Sequence, residues 1–462
     1  MIPHVSTLPE GLLPAQRSAV LAELTGRLRG ELALPGSPTY ARLTAPFNSS
    51  VVQRPLAVAA VADAYDVAHV VRTAGRAGLR VAVQCTGHGA GRSLDGVLLV
   101  HTGALQECVV HPEGWARVGA GVRWRTVLDA AAPLGLAGLA GSSSQVGVVG
   151  YTTGGGLGPL ARTFGPASDA VRAFDVVTGG GRLLRVTADD HPDLFWALRG
   201  GKGAVGIVTA VELDLLRLRR VHGGALHFEE ADVDRVLHRW REWAPSLPET
   251  ATTSVALRRL PPLPHVPAAL AGRLTVAVRL ASTAPAQEAA GLMAPLLEVA
   301  TPVLGGTVEL APSQLDAIHG DPVQPVPSQD RGALLRSCGA EAVDALLAEA
   351  GPGSGSPLTI VELRQLDGAA GRPGPVPSAF STRGAACSVQ AIGLRTPGTA
   401  EAVAAASERL LVALGPWSSE GTLPNTGGAG ALAYDGPTLA RLRAVVLTHD
   451  DRAVLQEADA LW

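Results

Sequence analysis

Val83-Gln84-Cys85-Thr86-Gly87-His88-Gly89-Ala90-Gly91-Arg92 is a strand-like run that breaks into alternating glycines around one imidazole. Glycine at 87, 89 and 91 lets the backbone turn sharply and brings successive N–H groups close to a ligand, a geometry suited to pyrophosphate oxygens. The competing reading is a plain turn between two strands that carries a surface histidine. Its surroundings bear on the choice. On the N-terminal side, a strand near 54–58 leads to Asp63, whose carboxylate can cap a helix with Val67, Val70, Val71 and Ala74 on one face. Gly78 ends that helix, and a strand over 79–84 delivers the glycine turn. Further upstream, a helical segment within 9–32 reads as a packing arm.

On the C-terminal side, strands are expected at 97–100, 107–110 and 115–118, and a helix at 126–132. Residues 138–158 form a second glycine-dense tract, which contains Gly141-Ser142-Ser143-Ser144-Gln145-Val146-Gly147-Val148-Val149-Gly150-Tyr151-Thr152-Thr153-Gly154-Gly155-Gly156. Its glycines alternate with valines rather than solvating residues, so a flat ligand lying on bare backbone explains it better than a linker. A hairpin follows, 171–178 with 182–186 across Gly179-Gly180-Gly181, and then a short helix at 193–199. Gly201-Lys202-Gly203-Ala204-Val205-Gly206 satisfies G-x-G-x-x-G, but it follows a helix and opens a strand over 207–215. The dinucleotide fingerprint needs the opposite order, which excludes a Rossmann site.

Beyond 215 the glycine tracts thin out. Five strands, at 225–228, 253–257, 274–280, 358–363 and 388–392, are interspersed with helices at 233–243, 287–297, 341–350 and 400–414. This is an α+β pattern of mostly antiparallel sheet with helices on one face. Proline-rich 261–264 and 322–327 read as rim loops, and a helix at 438–447 as a return to the first unit. Strand alternation puts Glu362 and Arg364 on one face. They are a candidate base and its charge partner, or a salt-bridged sheet edge. His319 is either a neighbour of the site or a loop histidine.

Length sets roughly three domain-sized units, or two large ones with a long core. With 47% hydrophobic and 17% charged residues the chain is not disordered. A net charge of -3 gives no footprint for nucleic acid. No apolar run approaches the roughly eighteen residues of a membrane span, and the N-terminus lacks a signal-peptide pattern, so a cytoplasmic protein is expected. Cys85, Cys108, Cys338 and Cys387 are far apart and lack a histidine cluster, which points to neither zinc nor a disulfide framework. The single lysine, Lys202, reads as compositional bias. Gly141-Ser142-Ser143-Ser144-Gln145 lacks the closing glycine of a hydrolase elbow, and Gly203 stands where a P-loop needs Ser or Thr.

Three ordered motifs carry a resemblance: 83–90, 145–156, and Asp193-Leu194-Phe195-Trp196-Ala197-Leu198-Arg199-Gly200-Gly201-Lys202-Gly203. Together they resemble the bacterial berberine-bridge-enzyme-like FAD-linked oxidases of the vanillyl-alcohol-oxidase (PCMH-type) superfamily, strongly over 40–215 and more loosely to 455. The resemblance implies an α+β fold, with a PCMH-type two-subdomain FAD-binding domain in 1–215, an inserted substrate domain in 216–415, and a C-terminal return in 416–462. FAD is the implied cofactor. His88 matches the histidine that bonds to the 8α-methyl carbon of the flavin, within a pyrophosphate loop of Gly87, Gly89, Ala90 and Gly91, and Thr86 is implied as a cofactor contact beside it. Further cofactor contacts are implied at Gly141, Ser142, Ser143, Val146, Gly147, Gly150, Tyr151, Gly154, Gly155, Gly156, Gly206, Ile207 and Val208. Ser143 stands where many members carry a second, cysteine tether, so a single covalent link is expected. Gly141 matches a position where a missing side chain admits oxygen.

The sequence also departs from the pattern. Leu423-Pro424-Asn425 replaces Tyr-x-Asn, which keeps Asn425 as a catalytic candidate beside Glu362 and Arg364 but removes an ionisable phenol. Arg441-Leu442, His449-Asp450-Asp451 and Val454-Leu455 stand in for a final motif without its proline and aromatics, and Ala204 replaces a common asparagine. The implied activity is hydride removal from a small or mid-sized organic substrate, in tailoring a specialised metabolite, with molecular oxygen as acceptor. A flavin-dependent cyclase or isomerase without net redox change, and a non-catalytic partner subunit, stay open. No motif names the substrate or the oligomeric state.

Overall fold

The computed structural model describes residues 13–427 and 430–462. Local chemistry sets the first unit. Asp63 accepts N–H bonds from Tyr65 at 2.9 Å and Asp66 at 3.0 Å, which caps the helix Ala64–Ala77. Gly78, at φ 67°, ends it in the left-handed conformation that glycine adopts without strain. The strands Ala57–Ala60, Leu98–His101 and Val81–Gln84 lie side by side in parallel, and Glu31–Ala33 adds an antiparallel edge. The helix Pro14–Arg27 is the packing arm; the part of that expectation within 9–12 lies outside the described residues. A second, five-stranded antiparallel sheet runs Cys108–His111, Trp115–Gly119, Ile207–Asp214, Val171–Val177, Leu183–Val186, with the anticipated hairpin at its end.

The middle of the chain forms a seven-stranded antiparallel sheet. Its order is Leu304–Leu310, Val221–Glu229, Leu274–Ser282, Ala251–Arg259, Ile360–Gln365, Cys387–Leu394, Ser328–Leu335. Two of these strands, Leu304–Leu310 and Ser328–Leu335, were not among the five expected. The first is exposed along most of its length and the second is only partly buried, so neither shows an apolar alternation. Along the inner strands Val255, Leu257, Val276, Val278, Val361 and Leu363 share one apolar cluster with the helices Val233–Trp243, Ala340–Ala350 and Ala400–Ala413. The first helix buries Val233, Val236, Leu237, Trp240 and Trp243, each contributing roughly 1.5–3 kcal/mol. The expected helix over 287–297 is split into Ala286–Ala290 and Ala294–Leu297, broken where Gly291 and Pro295 fall.

The chain then returns. Leu442, Val445, Val446, Val454, Leu455 and Leu461 join the apolar cluster of the first two sheets. Val81 N–H donates to the Val454 carbonyl at 2.8 Å, and the Tyr434 hydroxyl donates to the Gly200 carbonyl at 3.0 Å. Asp450, 2% exposed, accepts the N–H groups of Val454 at 2.7 Å and Leu455 at 2.8 Å. Among the described residues no helix is long and apolar enough to cross a membrane, and no group of three or more His, Cys, Asp or Glu is placed to hold a metal ion.

Candidate functional site

A cavity of about 640 Å³ lies between the first two sheets, the C-terminal return and the polar face of the seven-stranded sheet. That volume is in the range of small-molecule and cofactor sites, roughly 300–1,000 Å³. The opening loop forms one wall. It is anchored from behind, since the carbonyls of Thr86 and Gly87 accept from the amides of Phe47 at 3.2 Å and Asn48 at 3.4 Å. Among the described residues the amides of Gly87, His88, Gly89 and Gly91 have no backbone acceptor. Gly87 is obligatory for this approach. Its φ is 71°, and a Cβ would lie 2.6 Å from the Pro46 Cα. At Gly89, Gly91 and Gly150 a Cβ would meet nothing within 4 Å, so these positions leave room for a ligand to reach the backbone.

His88 stacks on Phe47, with ring centroids 3.9 Å apart and planes 13° apart. Its Nδ1 is 2.7 Å from Thr86 Oγ1, while Nε2 is buried and unpartnered. Burial, and secondarily the Arg123 charge, lowers its pKa to about 4. The ring is therefore neutral near pH 7, as a nucleophilic imidazole must be. Tyr151 carries a second buried, unpartnered polar atom, its hydroxyl, and burial holds that phenol above its ordinary range. Gln53 Oε1 is a third.

Of the expected cofactor contacts, Thr86, Gly87, His88, Gly89, Ala90, Gly91, Gly141, Ser142, Ser143, Val146, Gly147, Gly150, Tyr151, Gly154, Gly156, Gly206 and Val208 line the cavity. Gly155 and Ile207 do not. A Cβ on Gly155 would strike the Phe380 ring at 2.3 Å, and Ile207 is a buried strand residue on the face opposite Gly206 and Val208. Within the tract lies the short helix Val148–Thr152. The Gly201–Gly206 segment is a tight turn over Lys202–Ala204 between the helix Pro192–Leu198 and the strand Ile207–Asp214, which agrees with exclusion of a dinucleotide helix.

The catalytic candidates separate. Arg364 and Asn425 line the cavity, and the Asn425 amide donates to the Tyr151 carbonyl at 2.9 Å. Glu362 does not line it. Its carboxylate is 6% exposed and accepts from Arg279 at 3.1 Å and Arg364 at 3.2 Å, with His319 Nε2 at 3.6 Å. Burial alone would raise its pKa, but Arg364, His319 and Arg279 outweigh burial and hold it well below the carboxylate range. Such a group binds protons poorly. Nor is this a sheet edge, because Ile360–Gln365 has a strand on each side. His319 is buried behind the pair beside a smaller cavity.

Sequence reasoning missed Asp330, Gln390 and Lys202, all on the cavity wall. Asp330 accepts from Gly427 N–H at 2.9 Å and Gln390 Nε2 at 3.3 Å. The strands that carry Asp330 and Gln390 are neighbours only through sheet register, and no local signal in 328–335 marks them.

Residues 55–187, which carry His88 and both glycine tracts, match the family described as an FAD binding domain. (R)-6-hydroxynicotine oxidase of Paenarthrobacter nicotinovorans is 31% identical over 227 residues, 48% of this chain and 46% of that protein. FAD-dependent monooxygenase FUP4 of Fusarium proliferatum (strain ET1) is 35% identical over 175 residues, 37% of this chain and 34% of that one. The chain thus spans less than half the length of these relatives. Among solved structures, Physcomitrella patens BBE-like 1 superposes with a TM-score of 0.83 at 19% identity, covering 96% of this chain and 99% of that one. 6-Hydroxy-D-nicotine oxidase from Arthrobacter nicotinovorans gives 0.79 at 23%, covering 92% and 96%. At these identities the likeness is one of fold: the α+β architecture is that of the PCMH-type FAD-binding oxidases.

Proposed function

We propose that the chain is an FAD-linked oxidase of the bacterial berberine-bridge-enzyme-like group, acting in the cytoplasm on a small or mid-sized organic substrate in specialised metabolism. In this reading 1–215 and 416–462 hold the cofactor, and 216–415 hold the substrate. One observation carries it: unpaired loop amides and the free Nε2 of a neutral His88 meet in one cavity of about 640 Å³. The flavin supplies the hydride acceptor and the route of electrons to oxygen.

The protein's residues supply binding and proton handling. The amides of Gly87, His88, Gly89 and Gly91 receive the pyrophosphate, and His88 provides the single covalent tether, since Ser143 cannot form a thioether. Arg364 orients the substrate from the sheet, and Asn425 fixes the far end of the cavity against Tyr151. Asp330, which shares the cavity wall with Glu457 but lies on the sheet beside Arg364 and Gln390, takes the place of Glu362 as the proton acceptor for the substrate.

The test is intact mass and visible absorbance before and after acid denaturation. A yellow protein that keeps the mass of FAD after denaturation is expected, and complete release of the flavin refutes the tether. Oxygen uptake in proportion to product then distinguishes an oxidase from a cyclase or isomerase, a second reading favoured only by the apolar Leu423 on the cavity wall. Failure to bind any flavin would instead indicate a partner subunit.

A further inference from the structure

Lys202 is the one lysine in 462 residues. It sits at φ 56°, in the left-handed region that penalises any residue with a Cβ. Its amide is held there by the Thr153 carbonyl at 3.1 Å. The side chain passes over Gly154, where a Cβ would come within 2.8 Å of Lys202 Cε and 2.1 Å of Asn425 Oδ1. Gly154 thus opens the path by which the amine enters the large cavity. Once there, the amine has no hydrogen bond to any described residue; only the more distant charges of Glu457 and Asp330 favour its protonation, against burial. Asp330 is engaged by Gly427 and Gln390.

A strained backbone and an ammonium that stands on the cavity wall without a described partner coincide at one position. Both are accounted for if the partner arrives with a ligand. An ammonium is a compact charge with three rotatable donors, suited to a single oxygen anion rather than to the planar fork of a carboxylate.

We propose that the Lys202 ammonium is the counter-charge for an oxygen anion of the bound flavin dinucleotide. The inference rests on the FAD reading above. Two anions share this chemistry: the pyrophosphate, and the N1–C2 carbonyl edge of the ring, which becomes negative when the ring gains electrons or when sulfite adds at N5.

The test compares Lys202→Met, Lys202→Arg and Lys202→Gly. Dissociation constants for FAD and riboflavin are read by fluorescence in a His88→Ala background, and sulfite affinity is read by absorbance in the holoenzyme. If the pyrophosphate is the partner, Lys202→Met weakens FAD roughly 10- to 100-fold and leaves riboflavin and sulfite unchanged. If the ring edge is the partner, sulfite affinity falls by a similar factor. In either case Lys202→Arg recovers part of the loss, and Lys202→Gly, freed of backbone strain, folds yet shows the same defect as Met. Unchanged FAD and sulfite affinities in both Met and Gly overturn the assignment. Absence of flavin binding by the parent protein overturns the FAD reading itself, which is a separate outcome.

Discussion

Glu362→Gln separates an electrostatic anchor from a base. The native carboxylate is nearly dry and faces two guanidiniums, Arg279 and Arg364, at 3.1 and 3.2 Å. Glutamine keeps the shape and one carbonyl acceptor but removes the charge, so two buried cations lose their counter-ion. Breaking a buried pair in this way costs about 3 kcal/mol, which for a unit of this size lowers Tm by roughly 6–12 °C. Thermal unfolding at pH 7, followed by near-UV circular dichroism, measures it. The pH dependence has a fixed sign. Because the folded-state pKa of Glu362 is depressed, its contribution is complete above the unfolded value of about 4.3 and is lost as pH falls through the folded value. The gap between parent and variant therefore closes in acid. His319, whose pKa is lowered chiefly by burial while Glu362 partly holds it up, destabilises both proteins below about pH 6.5, and more strongly in the variant that lacks the carboxylate. Pairing with Arg364→Met gives a double variant less damaged than the sum of the singles, with coupling of about 1–3 kcal/mol. A variant that melts within about 1 °C of the parent but loses turnover by about a hundredfold or more refutes the anchor reasoning and restores Glu362 as a base.

His88→Ala is expected to release all flavin on denaturation while still binding it in the native state, as read by intact mass and by the retained yellow colour. Gly87→Ala forces a Cβ against Pro46 at a left-handed φ and lowers stability by about 2 kcal/mol or more in chemical denaturation. Gly89→Ala, which meets nothing within 4 Å, leaves stability unchanged but weakens FAD binding by intruding on the cavity. Asp450→Ala strands the N–H groups of Val454 and Leu455, at a cost of about 2–4 kcal/mol in the same denaturation assay. Asp330→Asn is expected to lower kcat with melting temperature unchanged; undiminished turnover removes it as proton acceptor.

The features legible in the sequence are those with a local cause. Asp63, Gly78 and the hairpin across 179–181 each declare a cap or a turn within a few residues, and the structure places them where that chemistry puts them. Face sharing by Glu362 and Arg364 followed from alternation alone. Depth did not, because alternation gives a side and not what packs over it; the burial that changes the reading of Glu362 comes from Arg279 on another strand and His319 on a separate helix. Leu304–Leu310 escaped because an exposed edge strand has no apolar period. Lys202 looked like composition because its environment is assembled from Thr153, Gly154 and Asn425, two of them some fifty residues upstream and the third far downstream. The resemblance supplied the cofactor contacts, and geometry then moved Gly155 and Ile207 off the cavity wall.

The return of the chain has a consequence in time. The Arg80 guanidinium donates to the Ala453 carbonyl, 373 positions away, and Glu457, Ala460 and Leu461 complete a cavity whose first wall is the loop at 85–91. During synthesis that first wall emerges roughly 20 to 75 s before the last, at about 5–20 residues per second. Through that interval the glycine loop and the apolar faces of Val81 and Leu98 lack their final cover. Ligand capture is thus a late event in the life of each new molecule, and the nascent chain must pass its most aggregation-prone stage without the ligand's help.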